Sequence, residues 1–335
     1  MDLKKWRKWL VASILISMSS LAIIFAFSST KKAIPLILSI PLWFFLIIIL
    51  VHFLHWLFWA VRIKIMAHAL GENISIMWAF RIVMVNLFMA SVTPSSIGGE
   101  PSRIYLLSQG NLSSGDATAL ILSERLLDFI FFAVSLPLFI LLLGISINLE
   151  DIAMELFVAI GLFLLGGLAL IYIIYNASKI KSKIKKLEKL LKFFIKEEDR
   201  RERLIHKVEK EFDTFVKSVV IIFKRKKVHF IAAMSATAIM WFADFTIPSL
   251  ILLGMGYPPF WLLSITFQMI ILLITIIPIS PGGSGLAEFS AYFLYSQKLQ
   301  PDITGALVIL WRVLTFYLNL FGGMIYTVHY ISKGK

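Results

Sequence analysis

Apolar residues are concentrated in long runs, and most of these runs have the length of a membrane-spanning helix. Because a bilayer core requires about 20 apolar residues per helix, the pattern predicts six full spans. Their approximate bounds are 9–28, 33–61, 117–147, 152–176, 228–252 and 304–331. The 33–61 run is longer than a span needs, and Pro35 and Pro41 indicate that its first turns lie at the membrane interface or tilt.

Two further apolar regions are interrupted at their centres by proline, glycine and serine. They cover about 76–110 and 260–297, and neither half of either region is long enough to cross a bilayer comfortably. Irregular backbone is tolerated at membrane depth where protein encloses it. Each region is therefore predicted to be a re-entrant hairpin, in which one helix enters, the chain unwinds, and a second helix leaves.

The composition is typical of a membrane protein. Hydrophobic residues make up 59% of the chain and charged residues 16%, with a mean hydropathy of +0.86. Soluble domains have about 45–50% apolar and about 25% charged residues. These values exclude a soluble enzyme, a nucleic-acid-binding module and a disordered chain. The absence of cysteine excludes disulfides, thiolate catalysis and cysteine-ligated metals.

The formal charge of +13 is concentrated in one segment. Residues 177–227 hold 18 Lys/Arg and 8 Asp/Glu, a net charge of +10. Lysines alternate there with apolar residues, as in KIKSKIKKLEKLLKFFIK, and an amphipathic segment of this kind is expected to lie on an anionic leaflet. The alternative is that the segment only anchors the orientation of the chain and has no role toward a substrate.

Lysine and arginine near the ends of the spans predict the orientation. They cluster at both termini and in the 177–227 segment, which places all three on the cytoplasmic side of a multi-pass cell-membrane protein; Lys31 and Lys32 run against this arrangement. The 33–61 span then ends on the inside, near Arg62 and Lys64, so the 76–110 hairpin enters from the cytoplasmic face and the 260–297 hairpin from the opposite face. The two hairpins are thus expected to point at one another.

The two hairpins also share a sequence pattern. One constant shift in residue number superposes Thr93 on Ser280, Pro94 on Pro281, Gly98 on Gly285 and Arg125 on Arg312. A shared offset to an arginine within an apolar span, combined with opposite insertion, indicates an inverted-topology repeat, the architecture in which transporters place a site between related halves. The halves would be about 33–176 and 228–331 of one transmembrane domain that covers 1–335.

The residues of the two turns are suited to binding an anion. Ser or Thr before Pro favours a helix start, glycine lets backbone amides approach a ligand, and facing helix N-termini attract a group such as phosphate. The alternative is that proline and glycine only form the turns. The candidate binding residues in the turns are Pro94, Ser96, Gly98, Gly99, Pro281, Gly282, Gly283 and Gly285.

Charged residues inside the apolar regions are a second indication of a site. A central charge costs ~2.5–3.5 kcal/mol on insertion scales, so such residues usually face a cavity or a partner. Because guanidinium matches phosphate bidentately, the arginines are candidate phosphate ligands. The candidates are Arg103, Arg125 and Arg312 for binding, Glu100 for binding or proton coupling, and Glu124, Asp128, Asp244 and Glu288 for ion pairing or proton coupling.

The spacing of these charges also permits a purely structural interpretation. Glu124 and Asp128 are four residues apart and share a helix face, and Arg125 and Asp128 are three apart and close enough to pair. In this alternative, Arg125 and Arg312 neutralise the carboxylates and lock the two halves together. The two interpretations are compatible, because an internal ion-pair network can open to admit a substrate.

Two histidines in the 33–61 run are candidate metal ligands by their spacing. His52 and His55 are three residues apart, but no carboxylate lies nearby in sequence. A packed or hydrogen-bonded pair is therefore favoured over a metal site. No metal or other cofactor is expected.

Three strings of sequence together resemble a known family. They are PSSIGGEPSRIYLLS (94–108), SERLLDF (123–129) and PISPGGSGLAEFSA (278–291). They resemble the flippase-like membrane family, also called the lysylphosphatidylglycerol synthase transmembrane family, over essentially the whole chain. The resemblance implies a helical membrane fold with two re-entrant helix pairs and a lipid-translocating role. The chain departs from the family pattern in its first turn, which is poorer in glycine, and in GLAE, where G-x-R-E is frequent.

The sequence lacks motifs for chemistry on nucleotides or sugars. The basic segment is too short to hold the soluble domain that carries lipid aminoacylation or glycosyl transfer in relatives, and no D-x-D, G-x-G-x-x-G or P-loop motif occurs. We therefore expect a stand-alone translocator and not an enzyme. The expected partners are membrane lipids, above all an anionic lipid phosphate such as a polyprenyl phosphate, its sugar conjugate or a phospholipid.

Two other classes of protein remain open. One is an integral-membrane enzyme that acts on a lipid phosphate, with Glu124 or Glu288 as acid or base. The other is a small-ion transporter or an accessory subunit of a glycosylation complex. Chemical turnover of lipids would identify the first, and flux of simple anions or co-purifying partners would identify the second.

Overall fold

The computed structural model of the chain describes its helical core. The described residues are 14–16, 18–19, 22–23, 30–93, 98–110, 112–143, 160–161, 164–169, 171–172, 175–176, 198–277, 280 and 282–332. The predicted spans at 9–28 and 152–176 therefore lie largely outside them. So do the turn residues Pro94, Ser96 and Pro281 and the 177–197 part of the basic segment.

The described residues form helices and contain no strand. In chain order the helices are α1 (Thr30–Leu38), α2 (Leu42–Ala69), α3 (Ile76–Ser91), α4 (Gly99–Ser108), α5 (Ser114–Leu143), α6 (Glu198–Val220), α7 (Lys227–Phe245), α8 (Ile247–Gly254), α9 (Trp261–Ile274), α10 (Leu286–Ser296), α11 (Pro301–Arg312) and α12 (Leu318–Ser332). Single turns of π-helix, Ile221–Arg225 and Val313–Tyr317, precede α7 and join α11 to α12.

Four helical stretches in the described part are long and apolar enough to cross a membrane. They are Leu42–Ala69, Ser114–Leu143, Lys227–Gly254 and Pro301–His329. Each overlaps one of the predicted spans, and together with the shorter apolar helices they give the architecture of an all-helical polytopic membrane protein. The hydropathy pattern thus predicts these four elements to within a few residues at most ends.

The 33–61 run differs from its prediction in both bounds. The helix is interrupted at Ser39–Ile40, and α2 begins after Pro41. The fixed φ of proline and its missing N–H suit a helix start. At its other end α2 continues to Ala69, well past the predicted end. Arg62 therefore lies inside a helix, although the orientation argument treats it as part of a flank.

Each interrupted region contains two helices separated by a break, whereas its re-entrant insertion stays a prediction. α3 and α4 pack against each other across the first turn, and α9 and α10 pack across the second. The repeat offset also holds for the helices that follow. It separates the start of α4 at Gly99 from that of α10 at Leu286, and the start of α5 at Ser114 from that of α11 at Pro301. The shift that aligns the two turns in sequence therefore aligns the helices that they introduce.

Extensive packing joins the two halves of the chain. α2 of the first half packs along α7 of the second, and α3 packs along α12. One cluster of buried apolar side chains surrounds α9, α10 and α11, and another surrounds α3, the end of α4 and the start of α5. A cavity lies in the space between these two cores, where the two turns approach each other.

Part of the predicted basic loop packs on the protein. α6 lies against the start of α5, with Phe215 and Val219 buried on Ala119. The Glu211 carboxylate accepts a hydrogen bond from the backbone amide of Gly115, in the first turn of α5. An acidic side chain at this position also interacts favourably with the helix dipole. The described end of the loop is thus fixed to the span that carries Arg125.

Candidate functional site between the hairpin tips

The two turns meet in the structure. The backbone N–H of Gly282, in the second turn, donates a 3.2 Å hydrogen bond to the carbonyl oxygen of Thr93, in the first. Gly282 has a φ of 57°, and a Cβ placed on it would lie 2.9 Å from the carbonyl oxygen of Ser91. Both the left-handed backbone and this close approach require glycine here.

Replacing Gly282 by alanine is expected to lower the free energy of unfolding by about 1–3 kcal/mol, because the new methyl group adds backbone strain and contacts Ser91. Gly256→Ala is the matched control, since Gly256 also has a positive φ, 81°, but no atom lies within 4 Å of the position of its Cβ. Chemical unfolding in detergent measures both variants. Equal destabilisation would show that the contact between the turns does not constrain the fold.

A cavity of about 310 Å³ lies between the halves beside this contact. Arg125 and Arg312, the two arginines paired by the repeat, both line it, although they belong to different halves of the chain. Three tryptophans, Trp59, Trp241 and Trp311, form part of its wall. The sequence-predicted site residues that line the cavity are Glu100, Arg125, Asp244, Gly282 and Arg312.

Arg125 is held by carboxylates of its own half. Its Nε lies 3.3 Å from Glu100 Oε1, and its Nη1 lies 3.2 Å from Asp128 Oδ2. The side chains of Arg125 and Glu100 are 36% and 38% exposed, so both can be reached from the cavity. An incoming phosphate could compete with the Glu100 carboxylate for this guanidinium, because both groups accept paired N–H donors.

Behind the cavity wall, Arg62 joins the two carboxylates of α5. Its Nε lies 2.7 Å from Glu124 Oε1 and its Nη1 lies 2.7 Å from Asp128 Oδ1. Arg62 and Glu124 are fully buried, and Asp128 is 5% exposed. Trp241 Nε1 donates a 2.9 Å hydrogen bond to Asp128 Oδ1 and so links the network to α7. Arg62 is therefore an internal ion partner, and its interpretation as a flanking charge is wrong.

Arg103 belongs to the same buried network. Its guanidinium contacts the Glu124 carboxylate, lies 3.5 Å from Glu100 Oε2, and stacks over the Trp59 ring at 5.2 Å. The cluster balances three positive charges with three negative charges; its members are Arg62, Arg103, Arg125, Glu100, Glu124 and Asp128. Arg103 is fully buried and is not among the described residues that line the cavity, so it supports the site from behind.

Arg312 has a separate set of partners in the second half. Its Nε donates to Glu288 Oε1 at 2.9 Å and its Nη2 donates to Ser284 Oγ at 3.3 Å. The guanidinium also lies 4.1 Å from the centre of the Phe316 ring, which adds cation–π attraction. The ion pairs of Arg125 and of Arg312 thus lie each within one half, so these pairs do not themselves lock the halves together.

Three backbone amides in the described part of the turns have partners within the protein. Gly98 N–H donates to Thr93 Oγ1 at 2.9 Å, and Gly285 N–H donates to Glu288 Oε2 at 2.7 Å. The Gly282 amide donates to Thr93, as described above. In this arrangement these three amides are already occupied, and Arg125 and Arg312 are the arginines among the described residues that line the cavity.

The histidine pair is packed and hydrogen-bonded, and it also meets a carboxylate. The rings of His52 and His55 are parallel to within 2°, with centres 5.7 Å apart. His52 Nδ1 lies 3.4 Å from Asp244 Oδ1, and its Nε2 lies 3.0 Å from Asn319 Oδ1. Among the described residues, no group of three or more acidic or histidine side chains is arranged to hold a metal ion.

The remaining predicted residues lie next to the cavity or outside the described part. A Cβ on Gly99 would meet the side-chain oxygen of Asn86, and one on Gly283 would meet Thr275, so both glycines allow close packing of the turns. Pro94, Ser96 and Pro281 lie outside the described residues.

Comparison with known proteins places this arrangement in a family. Residues 10–323 match the family model described as the lysylphosphatidylglycerol synthase TM region. The chain belongs to this family. Among its relatives is a UPF0104 membrane protein of Archaeoglobus fulgidus, 32% identical over 96% of this chain and 97% of the relative. UPF0104 membrane proteins of Pyrococcus horikoshii and Methanocaldococcus jannaschii are each 23% identical, over 93% and 79% of this chain and 95% and 78% of the relative.

Membership in the lysylphosphatidylglycerol synthase transmembrane family confirms the resemblance carried by the three sequence strings. It makes a lipid-related function in the membrane plausible for this chain. Arg62 and His52 are the two central residues of the described site whose roles sequence reasoning missed. One local signal indicates that Arg62 lies inside a helix, because Ile63, Ile65 and Met66 continue the apolar run beyond it.

Proposed function

We propose that this protein translocates a phosphate-bearing amphipathic lipid across the cell membrane without changing it chemically. The observation that carries the proposal is the convergence of Arg125 and Arg312 on one cavity at the meeting point of the two turns. In the mechanism, the head group enters the cavity, its phosphate takes the place of Glu100 on Arg125, and Arg312 supplies the second guanidinium. The hydrocarbon tail remains in the bilayer.

The proposal includes an inverted-topology repeat as the basis of alternating access. Its support is the common offset in residue number, which relates the turns, the arginines and the starts of four helices. Related halves of opposite orientation can exchange conformations, so that rocking one against the other opens the cavity first to one leaflet and then to the other. The plausible cargos are a polyprenyl phosphate, its sugar conjugate and a phospholipid.

Opposite insertion of the hairpins gives a labelling test. Gln109 and Gln300 are exposed residues that follow the two hairpins, and the chain contains no natural cysteine. In right-side-out vesicles, a membrane-impermeant maleimide is expected to label the Gln300→Cys variant and to spare Gln109→Cys until the membrane is permeabilised. Labelling of both variants from the same side would contradict the inverted arrangement, and with it the cytoplasmic location of both termini.

Reconstitution tests the function itself. Purified protein in liposomes is expected to make a fluorescent polyprenyl phosphate, added to one leaflet, accessible from the other faster than in protein-free liposomes. Mass spectrometry of the recovered lipid provides the control for chemistry, because an enzyme would change its mass. Unchanged accessibility would contradict translocation, and an altered lipid would indicate the enzyme alternative.

A further inference from the structure

The His52–Asp244 contact connects the two halves of the protein beside the cavity. His52 lies on α2 of the first half, Asp244 lies on α7 of the second, and their closest nitrogen and oxygen are 3.4 Å apart. His52 is fully buried, whereas the Asp244 side chain is 25% exposed and lines the cavity. The pair thus combines a buried base with an acid that can be reached from the transport path.

The hydrogen bonds of Asn319 indicate which ring nitrogen of His52 carries a proton. Asn319 Oδ1 accepts a 2.8 Å hydrogen bond from Trp56 Nε1, and an indole N–H can only donate. The atom of Asn319 that faces both rings is therefore its oxygen, an acceptor. His52 Nε2, 3.0 Å from the same oxygen, must then be the donor. Nδ1 is left facing the carboxyl group of Asp244.

This tautomer creates a place for one more proton. If His52 were neutral and Asp244 ionised, the lone pair of Nδ1 would face a carboxylate across 3.4 Å with no hydrogen between them. One proton between the two atoms removes this repulsion, whether it is held on the imidazole or on the carboxyl group. At this distance the pair is therefore expected to be stable with one proton bound and less stable once that proton has left.

The neighbours of the pair are few among the described residues. α2 itself presents His55, whose Nδ1 donates to the carbonyl oxygen of Met240 at 3.1 Å, and α12 presents the uncharged Asn319. The charged groups that share the cavity with Asp244 are Glu100, Arg125 and Arg312, and each arginine has a carboxylate partner of its own. Further along α2, Arg62 is neutralised by Glu124 and Asp128, so the pair lies beside a charge-balanced network.

We propose that His52 and Asp244 form a proton site that couples lipid translocation to proton movement. The proton enters from water through the cavity and binds between His52 Nδ1 and Asp244 Oδ1, where it holds α2 against α7. Its release toward the other side leaves two acceptors facing each other and favours separation of the halves. This inference rests on the proposed function and adds the coupling ion to it.

A pH gradient across liposomes tests the coupling. With one proton moved per lipid, each pH unit is expected to shift the steady-state distribution of a fluorescent lipid phosphate between the leaflets by about tenfold. Asp244→Asn and His52→Gln keep polar side chains at the two positions but remove the proton site. The distribution of the lipid between the leaflets is therefore expected not to change with the pH gradient in these variants. His55→Gln is the matched control, because His55 already donates to a backbone carbonyl, and it is expected to respond like the unaltered protein.

The outcomes separate this inference from the function on which it rests. Two results would overturn the proton site and leave translocation intact. One is a lipid distribution that does not change with the pH gradient in the unaltered protein, and the other is a distribution that changes with the gradient in all three variants. If no lipid moves, the function fails, and solid-state NMR of ¹⁵N-labelled histidine then decides about the site. A proton shared between His52 Nδ1 and Asp244 near neutral pH would support it, and a neutral imidazole beside an ionised Asp244 would overturn it.

Discussion

Replacing Arg62 by alanine is expected to destabilise the protein strongly. The change leaves Glu124 and Asp128 buried without their shared partner, since Arg62 binds both at 2.7 Å. Removing one member of a buried ion pair costs about 3–5 kcal/mol, because the remaining charge stays desolvated. Chemical unfolding in detergent micelles measures the loss.

Two further variants separate lost charge from lost packing. Arg81 lies on α3 with an exposed side chain, so Arg81→Ala removes an arginine without breaking the network and is expected to leave stability nearly unchanged. The triple variant Arg62→Met, Glu124→Gln, Asp128→Asn removes the charges together and is expected to recover part of the stability. An Arg62→Ala protein as stable as Arg81→Ala would contradict the central place given to this network.

Replacing either cavity arginine by glutamine is expected to slow translocation of a lipid phosphate by about ten- to a hundredfold. Hydrogen bonds to charged groups contribute about 1.5–3 kcal/mol each, and glutamine retains a polar side chain but no charge. Arg125→Gln and Arg312→Gln are compared in liposomes with Arg81→Gln, which is expected to behave like the unaltered protein. The initial rate of lipid exchange is the measured quantity.

The stability of these variants must be measured beside their rates. Arg125 is about one-third exposed, and Asp128 keeps Arg62 as a partner when Arg125 is removed, so Arg125→Gln is expected to fold normally. Arg312 is more deeply buried and its loss leaves Glu288 without that cation, so its variant is expected to be less stable. Normal rates in a folded Arg125→Gln protein would show that the arginine is a structural partner of Glu100 and Asp128 only.

Local sequence patterns are sufficient for the helices and for the shortest-range contacts. The apolar runs predict the four long stretches, the Pro/Gly/Ser interruptions predict the two turns, and the spacing of Arg125 and Asp128 predicts a pair that the structure contains at 3.2 Å. The constant offset between the two hairpins predicts that Arg312 corresponds to Arg125. These signals are local or periodic, and a single sequence displays them directly.

Contacts between distant segments are not encoded locally, and the sequence did not predict the ion partners of Arg62 or of His52. Arg62 is predicted to be a flanking charge because Lys64 follows it. Its ion partners, however, lie on α5, which follows the first hairpin in the chain. His52 is packed and hydrogen-bonded as predicted, but its contact with Asp244 was not predicted, because Asp244 is on a helix of the other half. Only the packing of α2 along α7 brings His52 to Asp244, and that packing depends on the whole fold.

Native mass spectrometry of gently purified protein, with identification of the lipids that stay bound, tests the central claim most directly. A phosphate-bearing lipid, enriched over its share of the membrane, is expected to remain on the unaltered protein and to be lost from Arg125→Gln. Bulk lipids in membrane proportions, unchanged in Arg125→Gln, would contradict a phosphate site in the cavity between the two hairpin tips.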